Sequence, residues 1–358
     1  AANTGIFLFG CTYVLFALIG AFLSRPFFLA QTHDAEIVGY GVDYASICLI
    51  FSFGIFAQFC FERLLQSTGR TKLSMMTQLI GAVINIVLDP ILIFGWFGLP
   101  RLEVKGAAIA TVSAQALSVV FAILLLIKKK LPFTITRHDF RFNPQCPKFL
   151  SIGLPLALQE FLTQLSFLAL CAFVNRLGLE ASSGYGVACK IVNFAMLIPS
   201  ALMQSMASFI SQNIGAGKHQ RARQTLRTGI GIGLFFGLFV FALVLCKGDL
   251  LCSFFTTDAP VIANGYAYLK GFALETILTA ILFSMIGYFN GSGKTVFVMA
   301  QGLFQTLLVR LPMAYIMSIQ PNASLTMIGL AAPTSTAVGV LLNVCFFLYL
   351  NRKEKKQG

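Results

Sequence analysis

The sequence contains few charged residues, one tryptophan and three histidines. Charged residues make up 11% of its 358 positions, against roughly 25% in an ordinary soluble domain. The nine cysteines include no Cys-x-x-Cys pair and no cysteine–histidine cluster, which excludes the common zinc motifs. No Ser-His-Asp or Cys-His constellation stands out either. We therefore expect neither an enzyme nor a bound cofactor.

Apolar residues, by contrast, are abundant. They form 57% of the chain, with 36 Phe, and a soluble protein of this size could not bury so much apolar surface. The apolar runs are about 20 residues long and do not alternate, which predicts membrane-spanning helices rather than barrel strands. We predict ten helices, at 5–29, 37–66, 73–98, 105–127, 148–176, 184–213, 224–247, 260–289, 295–319 and 326–350.

The basic residues lie mainly between these apolar runs. Of 26 Lys and Arg, 18 fall after the even-numbered helices or in the C-terminal tail, 5 fall in the opposite loops, and 3 lie within helices. Cytoplasmic loops carry the excess of Lys and Arg in membrane proteins, so the linker and the C-terminus are predicted to be cytoplasmic. The net charge of +13 is thus an orientation signal in a multi-pass protein of the cytoplasmic membrane, and we expect no nucleic-acid partner.

The two halves of the sequence repeat with an offset of 224 residues. Since this offset spans six predicted helices, an even number, the repeat is parallel. It predicts an N-terminal lobe at 1–130, a cytoplasmic linker at 131–147 and a C-terminal lobe at 148–358. The coinciding positions are Thr32/Thr256, Asp34/Asp258, Ala35/Ala259, Gly41/Gly265, Tyr44/Tyr268, Phe59/Phe283, Gly69/Gly293 and Thr71/Thr295.

The same offset predicts a first lobe about 75 residues shorter than the second. We therefore expect two further helices before residue 1, twelve helices in the complete protein, and no transport by this segment alone. The expected fold class is an all-α integral membrane protein, a two-lobed helical bundle with a parallel internal repeat.

Asp89 is the strongest candidate for a functional residue among the ionisable residues at membrane depth. It lies four residues after Asn85 and directly before Pro90, so its carboxylate and the Asn85 amide share one helix face. Pro90 removes a backbone N–H from the helix. This set of oxygens suits Na⁺, or the carboxylate can take a proton. The alternative is a carboxylate near a helix end that reaches water.

Three glutamates in the apolar segments are weaker candidates. Glu160 and Glu275 lie on the fifth and eighth predicted helices, near the start of each apolar run, where each could face a cationic substrate or pair with a basic residue inside the bundle. The basic residues more than four positions from a helix end are Lys190, Lys270 and Arg310. Glu62 neighbours Arg63 near the predicted cytoplasmic end, so we expect it to be a solvated interfacial residue.

Several motifs together resemble the MATE (multidrug and toxic compound extrusion) family. They are Glu-Arg-Leu-Leu-Gln-Ser-Thr-Gly-Arg-Thr at 62–71, Asn-Ile-Val-Leu-Asp-Pro at 85–90, Gly-Ala-Ala-Ile-Ala-Thr at 106–111, Gln-Asn-Ile-Gly-Ala-Gly at 212–217 and Arg-Leu-Pro at 310–312. The resemblance covers the whole chain. It implies a cation-coupled antiporter that expels organic cations, with Na⁺ or H⁺ as the coupling ion.

The resemblance also implies where the coupling cation binds. The family's site uses an Asp on the first helix, which would precede residue 1, and three residues that Asn85, Asp89 and Thr111 match. Na⁺ at Asp89 is the one metal ion expected. The second half has Leu311 and Met313 around the equivalent of Asp89, so only the first lobe is expected to bind the cation.

Some family members also use acidic residues on the seventh and tenth helices. Glu160 and Glu275 lie on the corresponding helices, about one turn from the expected positions, and are the candidate substrate or proton site. We expect a monomer whose partners are small organic cations and the lipid bilayer.

The alternative function is a flippase of lipid-linked or polysaccharide precursors with related architecture. A flippase is expected to line its cavity with several Arg or Lys that bind a pyrophosphate group. Only three basic residues lie within the predicted helices, which favours the antiporter.

Overall fold

Helices make up nearly all of the computed structural model, which describes residues 2–31, 34–128 and 145–355. Contacts divide the chain into two units, Ala1–Leu150 and Ser151–Gly358, here called unit 1 and unit 2. The helices of unit 1 are α1 (Ala2–Phe22), α2 (Ser24–Gln31), α3 (Ala35–Ile50), α4 (Phe53–Ser67), α5 (Thr71–Phe94) and α6 (Glu103–Lys128). A short 3₁₀ turn, Trp96–Gly98, follows α5.

Unit 2 begins within a long helix and contains one π-helical turn, Phe304–Arg310. This turn continues α11 into α12, so that the three form one rod. The helices are α7 (Cys146–Asn175), α8 (Leu179–Gly215), α9 (His219–Ser253), α10 (Ala259–Gly291), α11 (Thr295–Leu303), α12 (Leu311–Ser318), α13 (Leu325–Gly329) and α14 (Ala331–Lys355).

Ten segments within the described residues are candidate membrane spans. Nine are long, apolar helical rods, and α3 with α4 forms a tenth that bends by 45°. The prediction of an all-α membrane protein with ten apolar helices is therefore confirmed. The outward faces are apolar, as lipid contact requires; α9, for example, exposes Ile232, Phe235, Leu238 and Phe239.

The first two predicted helices are interrupted. The helix predicted at 5–29 breaks at Leu23, between α1 and α2. Pro26 explains this break, because it lacks the N–H that would bond to the Phe22 carbonyl. The helix predicted at 37–66 bends between Ile50 and Phe53, beside Ser52 and Gly54, and Gly/Ser pairs are a known cause of helix kinks.

Equivalent turns in the two units support the internal repeat. Gly69 and Gly293 lie 224 residues apart and both have left-handed backbones, with φ of +75° and +72°. In each turn the next amide donates to a carbonyl five residues earlier, Arg70 to Leu65 and Lys294 to Phe289. This is a helix C-terminal motif that favours glycine. The Gly-Ser-Gly-Lys-Thr stretch at 291–295 is thus a turn between helices and not a phosphate-binding loop.

Close helix contacts hold each unit together. In unit 1, α6 packs against α3, α4 and α5, and Gly106 lies so near α5 that a Cβ would fall 2.4 Å from the Leu92 carbonyl oxygen. In unit 2, α10 packs against α8, α9, α13 and α14. A Cβ on Gly329 would lie 2.6 Å from the Tyr268 carbonyl oxygen of α10. Small residues at such positions allow membrane helices to approach closely.

The predicted linker at 131–147 lies mostly outside the described residues. Cys146, which falls within it, is instead the first residue of α7 and is buried. Pro147 follows it, and proline is tolerated in the first turn of a helix, where its missing N–H has no partner to lose. The linker therefore ends before Cys146 and not at 147.

Candidate ion and substrate sites

Asn85 and Asp89 form a hydrogen-bonded pair on one face of α5. Nδ2 of Asn85 donates to Oδ1 of Asp89 over 3.3 Å, and both side chains are half-buried. Pro90 lies inside the same helix, so the Ile86 carbonyl lacks its usual amide donor. The predicted set of carboxylate, amide and carbonyl oxygens is present on one turn of helix.

Thr111 approaches this pair from α6. Its hydroxyl donates to the Ala107 carbonyl over 2.9 Å, and Thr111 and Asn85 line one cavity of about 270 Å³ between α4, α5 and α6. Asp89 does not line the cavity but is joined to it through Asn85. The polar side chains along the cavity are Gln58, Gln78, Asn85, Thr111 and Gln115.

Glu62 lies at the side of this cavity and is not solvated. It is only 3% exposed, and its two carboxylate oxygens accept hydrogen bonds from Nε2 of Gln58 over 2.9 Å and from Nε2 of Gln78 over 2.7 Å. The expectation of an interfacial residue is therefore wrong. That expectation relied on the neighbouring Arg63, whose guanidinium donates to Gln66. Glu62 lies one position away, about 100° around the helix, and faces α5.

A second polar cavity, of about 470 Å³, lies within unit 2 and brings Glu160 and Glu275 together. Oε1 of Glu275 accepts a hydrogen bond from the Thr336 hydroxyl over 2.9 Å. Oε1 of Glu160, an exposed residue, accepts one from Nε2 of Gln164 over 3.0 Å. The two glutamates named from sequence thus line one cavity.

Several buried polar atoms in this cavity have no hydrogen-bond partner among the described residues. Three are acceptors: Oε2 of Glu275, Oδ1 of Asn290 and Oε1 of Gln301. One is a donor, Nε of Arg310, and the fifth, the Thr279 hydroxyl, can donate or accept. Buried polar groups are nearly always hydrogen-bonded in folded proteins. Unpaired atoms concentrated around one cavity therefore indicate a site that binds a polar ligand.

Arg310 also lines this cavity, and its position there was not predicted from the sequence. It ends the π-helical turn, and its guanidinium stacks 4.4 Å from the centre of the Phe167 ring. Neither glutamate pairs with it: the described residues form ion pairs only at Arg101–Glu103 and Lys105–Asp43. Single π-helical turns occur frequently at functional sites, but no residue pattern marks this one.

The two lysines at membrane depth do not line the cavity of unit 2. Lys190 lies 5.5 Å from the ring centre of Phe255, and Lys270 lies 4.6 Å from that of Tyr266. Both are cation–π contacts. Within the described residues, neither lysine pairs with Glu160 or Glu275, so the alternative of internal ion pairs for these glutamates is not observed.

The largest cavity of unit 1 is a different kind of space. It measures about 700 Å³ between α1 and α4 and is lined by apolar and aromatic side chains, among them Ile6, Phe7, Phe53 and Phe56. No charged residue lines it, so it offers no charge to bind an ion.

Comparison with known proteins identifies the family. The MatE family model matches residues 1–91 and 155–316. The chain belongs to the MatE family. The predicted resemblance is confirmed, and with it the prediction of a membrane transporter rather than an enzyme.

Individual relatives differ in what they are named for. The probable multidrug resistance protein YoeA of Bacillus subtilis (strain 168) is 25% identical over 360 residues, covering 98% of this chain and 76% of YoeA. An FAD transporter of Shewanella oneidensis is 32% identical over 199 residues, covering 55% of this chain and 44% of that protein.

A solved structure shares the fold. It is the outward-facing conformation of a multidrug resistance MATE family transporter of the MOP superfamily, with a TM-score of 0.90 and 20% identity. The match covers 99% of this chain and 80% of that one.

Proposed function

We propose that the protein is a cation-coupled antiporter that exports organic cations across the cytoplasmic membrane. The observation that carries this proposal is the Asn85–Asp89 pair, which adjoins the Thr111-lined cavity of unit 1. A second polar cavity, in unit 2, supplies a separate place for a larger ligand. Antiport requires that cation binding and substrate binding be coupled, and two cavities give each ligand its own place.

The coupling site is assigned to Asn85, Asp89 and Thr111. The Asp89 carboxylate has no cationic partner among the described residues, and an unpaired charge in low dielectric is costly. Na⁺ or H⁺ relieves this cost. The oxygens of Asn85 and Thr111 are ligands that a hard cation such as Na⁺ accepts.

The substrate site is assigned to the cavity of unit 2. Its unpaired acceptors, on Glu275, Asn290 and Gln301, suit a ligand that carries positive charge and hydrogen-bond donors. The rings of Phe167, Phe272 and Phe283 also line it, and aromatic faces attract organic cations. The Glu160 carboxylate at the same cavity adds a second negative charge.

Exchange follows if the two conformations of the transporter differ in their affinity for the cation and for the substrate. A ligand can shift a conformational equilibrium only by this difference. The resulting coupling free energy is reciprocal, so cation binding that lowers substrate affinity implies the converse. Pro90 in α5 offers a point at which cation binding could bend the helix.

The charge distribution along the sequence supports a cytoplasmic C-terminus.

An organic anion such as a dinucleotide is the second candidate substrate. Arg310 favours it, because its unpaired Nε can donate to a phosphate or carboxylate. The similarity to an FAD transporter over 199 residues points the same way. A flippase finds less support, since Arg310 is the one basic residue that lines the cavity of unit 2 among the described residues.

The test is transport in vesicles reconstituted with the protein expressed from its complete coding sequence. Ethidium and FAD are offered separately, and Na⁺ and pH gradients are imposed separately. We expect gradient-driven ethidium transport that Asp89→Asn abolishes, because the substitution removes the charge at nearly constant shape. Asp249→Asn, at an exposed aspartate of unit 2, is the matched control. Wild-type transport by Asp89→Asn would contradict the site, and transport of FAD alone would contradict the substrate class.

A further inference from the structure

We propose that Glu62 is a second cation-binding carboxylate in unit 1, which Gln58 and Gln78 hold in place and which takes a proton or Na⁺. The inference concerns a residue outside the Asn85, Asp89 and Thr111 site. It rests on the proposed antiport in one respect: it implies that two cations, and not one, bind in this unit of the antiporter.

The first argument is burial without a counter-charge. Glu62 is 3% exposed, and both of its oxygens accept hydrogen bonds from neutral amides. No Lys or Arg among the described residues lies within ion-pair distance of it. Amide donors reduce the cost of burying an ionised carboxylate but do not cancel its charge. A small cation is the remaining means of neutralising it.

The charged groups on the neighbouring helices are engaged elsewhere or lie near helix ends. On α4, Arg63 donates to Gln66. At the start of α5, Arg70 and Lys72 flank the turn at Gly69. On α6, Lys105 pairs with Asp43 over 3.2 Å.

Apart from Lys128, the last residue of α6, the remaining charged residues on the helices that pack against α4 are acidic. They are Asp89 on α5 and Glu103 on α6, whose carboxylate pairs with Arg101. The described part of α1 contains no charged residue. Among the side chains that the structure describes, no cation on these helices therefore replaces one from solution.

The second argument is continuity with the coupling site. Gln58 and Gln78, the two donors to Glu62, line the same cavity as Asn85 and Thr111. Along α5, Gln78 precedes Asp89 by eleven residues, or about 16 Å at 1.5 Å per residue. Each carboxylate is thus hydrogen-bonded to side chains that line this one cavity, Glu62 to Gln58 and Gln78 and Asp89 to Asn85.

The third argument is that the fold does not need this cluster. The 224-residue offset places Leu282, Ile286 and Gly302 of unit 2 at the positions of Gln58, Glu62 and Gln78. Leu282 and Ile286 are buried, so apolar side chains fill the equivalent place in the other unit. A buried glutamate between two glutamines is therefore not a packing requirement, and intramembrane carboxylates of this kind are functional by default.

The test counts bound cations on the purified, complete protein in detergent. Binding of ²²Na⁺ at fixed pH and proton uptake in Na⁺-free buffer distinguish the two ions. We expect the wild type to bind two equivalents of one of them. Glu62→Gln should lose one equivalent and still purify as a folded, monodisperse protein. Glu180→Gln, at an exposed glutamate in the first turn of α8, should lose none.

Full cation binding by Glu62→Gln would overturn the proposal and leave Glu62 a structural hydrogen-bond acceptor. Loss of binding by Glu62→Gln with full binding by Asp89→Asn would uphold Glu62 and overturn the coupling site proposed above. Should Glu62→Gln not purify as a monodisperse protein, the double variant Gln58→Leu, Glu62→Ile installs the unit 2 residues and is expected to lose the same equivalent.

Discussion

The two units place carboxylates in different chemical surroundings on a repeated scaffold. In unit 1, Glu62 and Asp89 accept hydrogen bonds from neutral amides only, beside a cavity of about 270 Å³. In unit 2, Glu275 shares a cavity of about 470 Å³ with the guanidinium of Arg310 and with several aromatic rings. The turns at Gly69 and Gly293 are the same in both units, so the two sets of side chains lie on helices joined in the same way.

The different surroundings of these carboxylates indicate which kind of ligand each cavity binds. Carboxylates that lack an internal cation need an external one, and a small cavity lined by amide and hydroxyl groups suits a proton or Na⁺. A larger cavity with aromatic walls, unpaired acceptors and one guanidinium suits an organic ion. The predictions below separate these two roles.

Removing the charge of Glu275 should have the largest effect on substrate binding. Glu275→Gln replaces a charged acceptor by a neutral one, which costs about 2 kcal/mol, or about 30-fold in ethidium affinity. Fluorescence titration measures it, with Glu180→Gln as control. Cation binding to unit 1 should not change. Unchanged ethidium affinity would place the substrate outside this cavity.

A scaffold substitution in unit 2 should act on stability instead of on either ligand. The added Cβ of Gly329→Ala would meet the backbone of α10 at Tyr268, and such overpacking costs typically about 1–3 kcal/mol. Thermal unfolding in detergent measures the loss. Gly231→Ala on α9, where nothing lies within 4 Å of the new Cβ, should show none. Equal stability of the two variants would show that the close approach carries little energy.

The smallest effects are expected at the neutral ligands of unit 1. Thr111→Ala and Asn85→Ala each remove one uncharged oxygen, worth about 1 kcal/mol, or about fivefold in apparent cation affinity. Thr334 is the matched control, because its hydroxyl on α14 donates to the Leu330 carbonyl just as that of Thr111 donates to the Ala107 carbonyl. Thr334→Ala should leave cation affinity unchanged. An equal loss of cation affinity in Thr334→Ala would show that the effect comes from the altered helix and not from the loss of a cation ligand.

Much of the fold could be predicted because its signals are local. Apolar runs located all ten spans, and the repeat located the equivalent turns at Gly69 and Gly293. Two predicted helix ends were wrong beside a proline, because the effect of proline depends on its place in the helix. Pro26 breaks a predicted helix, whereas Pro147 lies in the first turn of one. The bend between Ile50 and Phe53 lies beside Ser52 and Gly54, a weaker signal than proline.

The candidate sites were less predictable because they depend on contacts between helices. The Asn85–Asp89 pair lies on a single helix, so its spacing identified it. Glu62 required knowledge that Gln78 of α5 faces it, although Gln58, one turn away on the same helix, was a usable signal. The place of Arg310 depends on a π-helical turn that shifts its register, and no sequence rule anticipates such a turn.

The most direct test of the division of roles measures both ligands on both carboxylate variants. Equilibrium binding of the coupling cation and of ethidium is determined for Asp89→Asn and for Glu275→Gln, each confirmed as monodisperse. The account predicts opposite losses. Asp89→Asn should lose one equivalent of bound cation and bind ethidium with a weaker cation dependence, whereas Glu275→Gln should bind the cation and lose ethidium affinity about 30-fold. The account would be contradicted if either variant lost the binding of both ligands. It would also be contradicted if Asp89→Asn lost ethidium binding and kept cation binding.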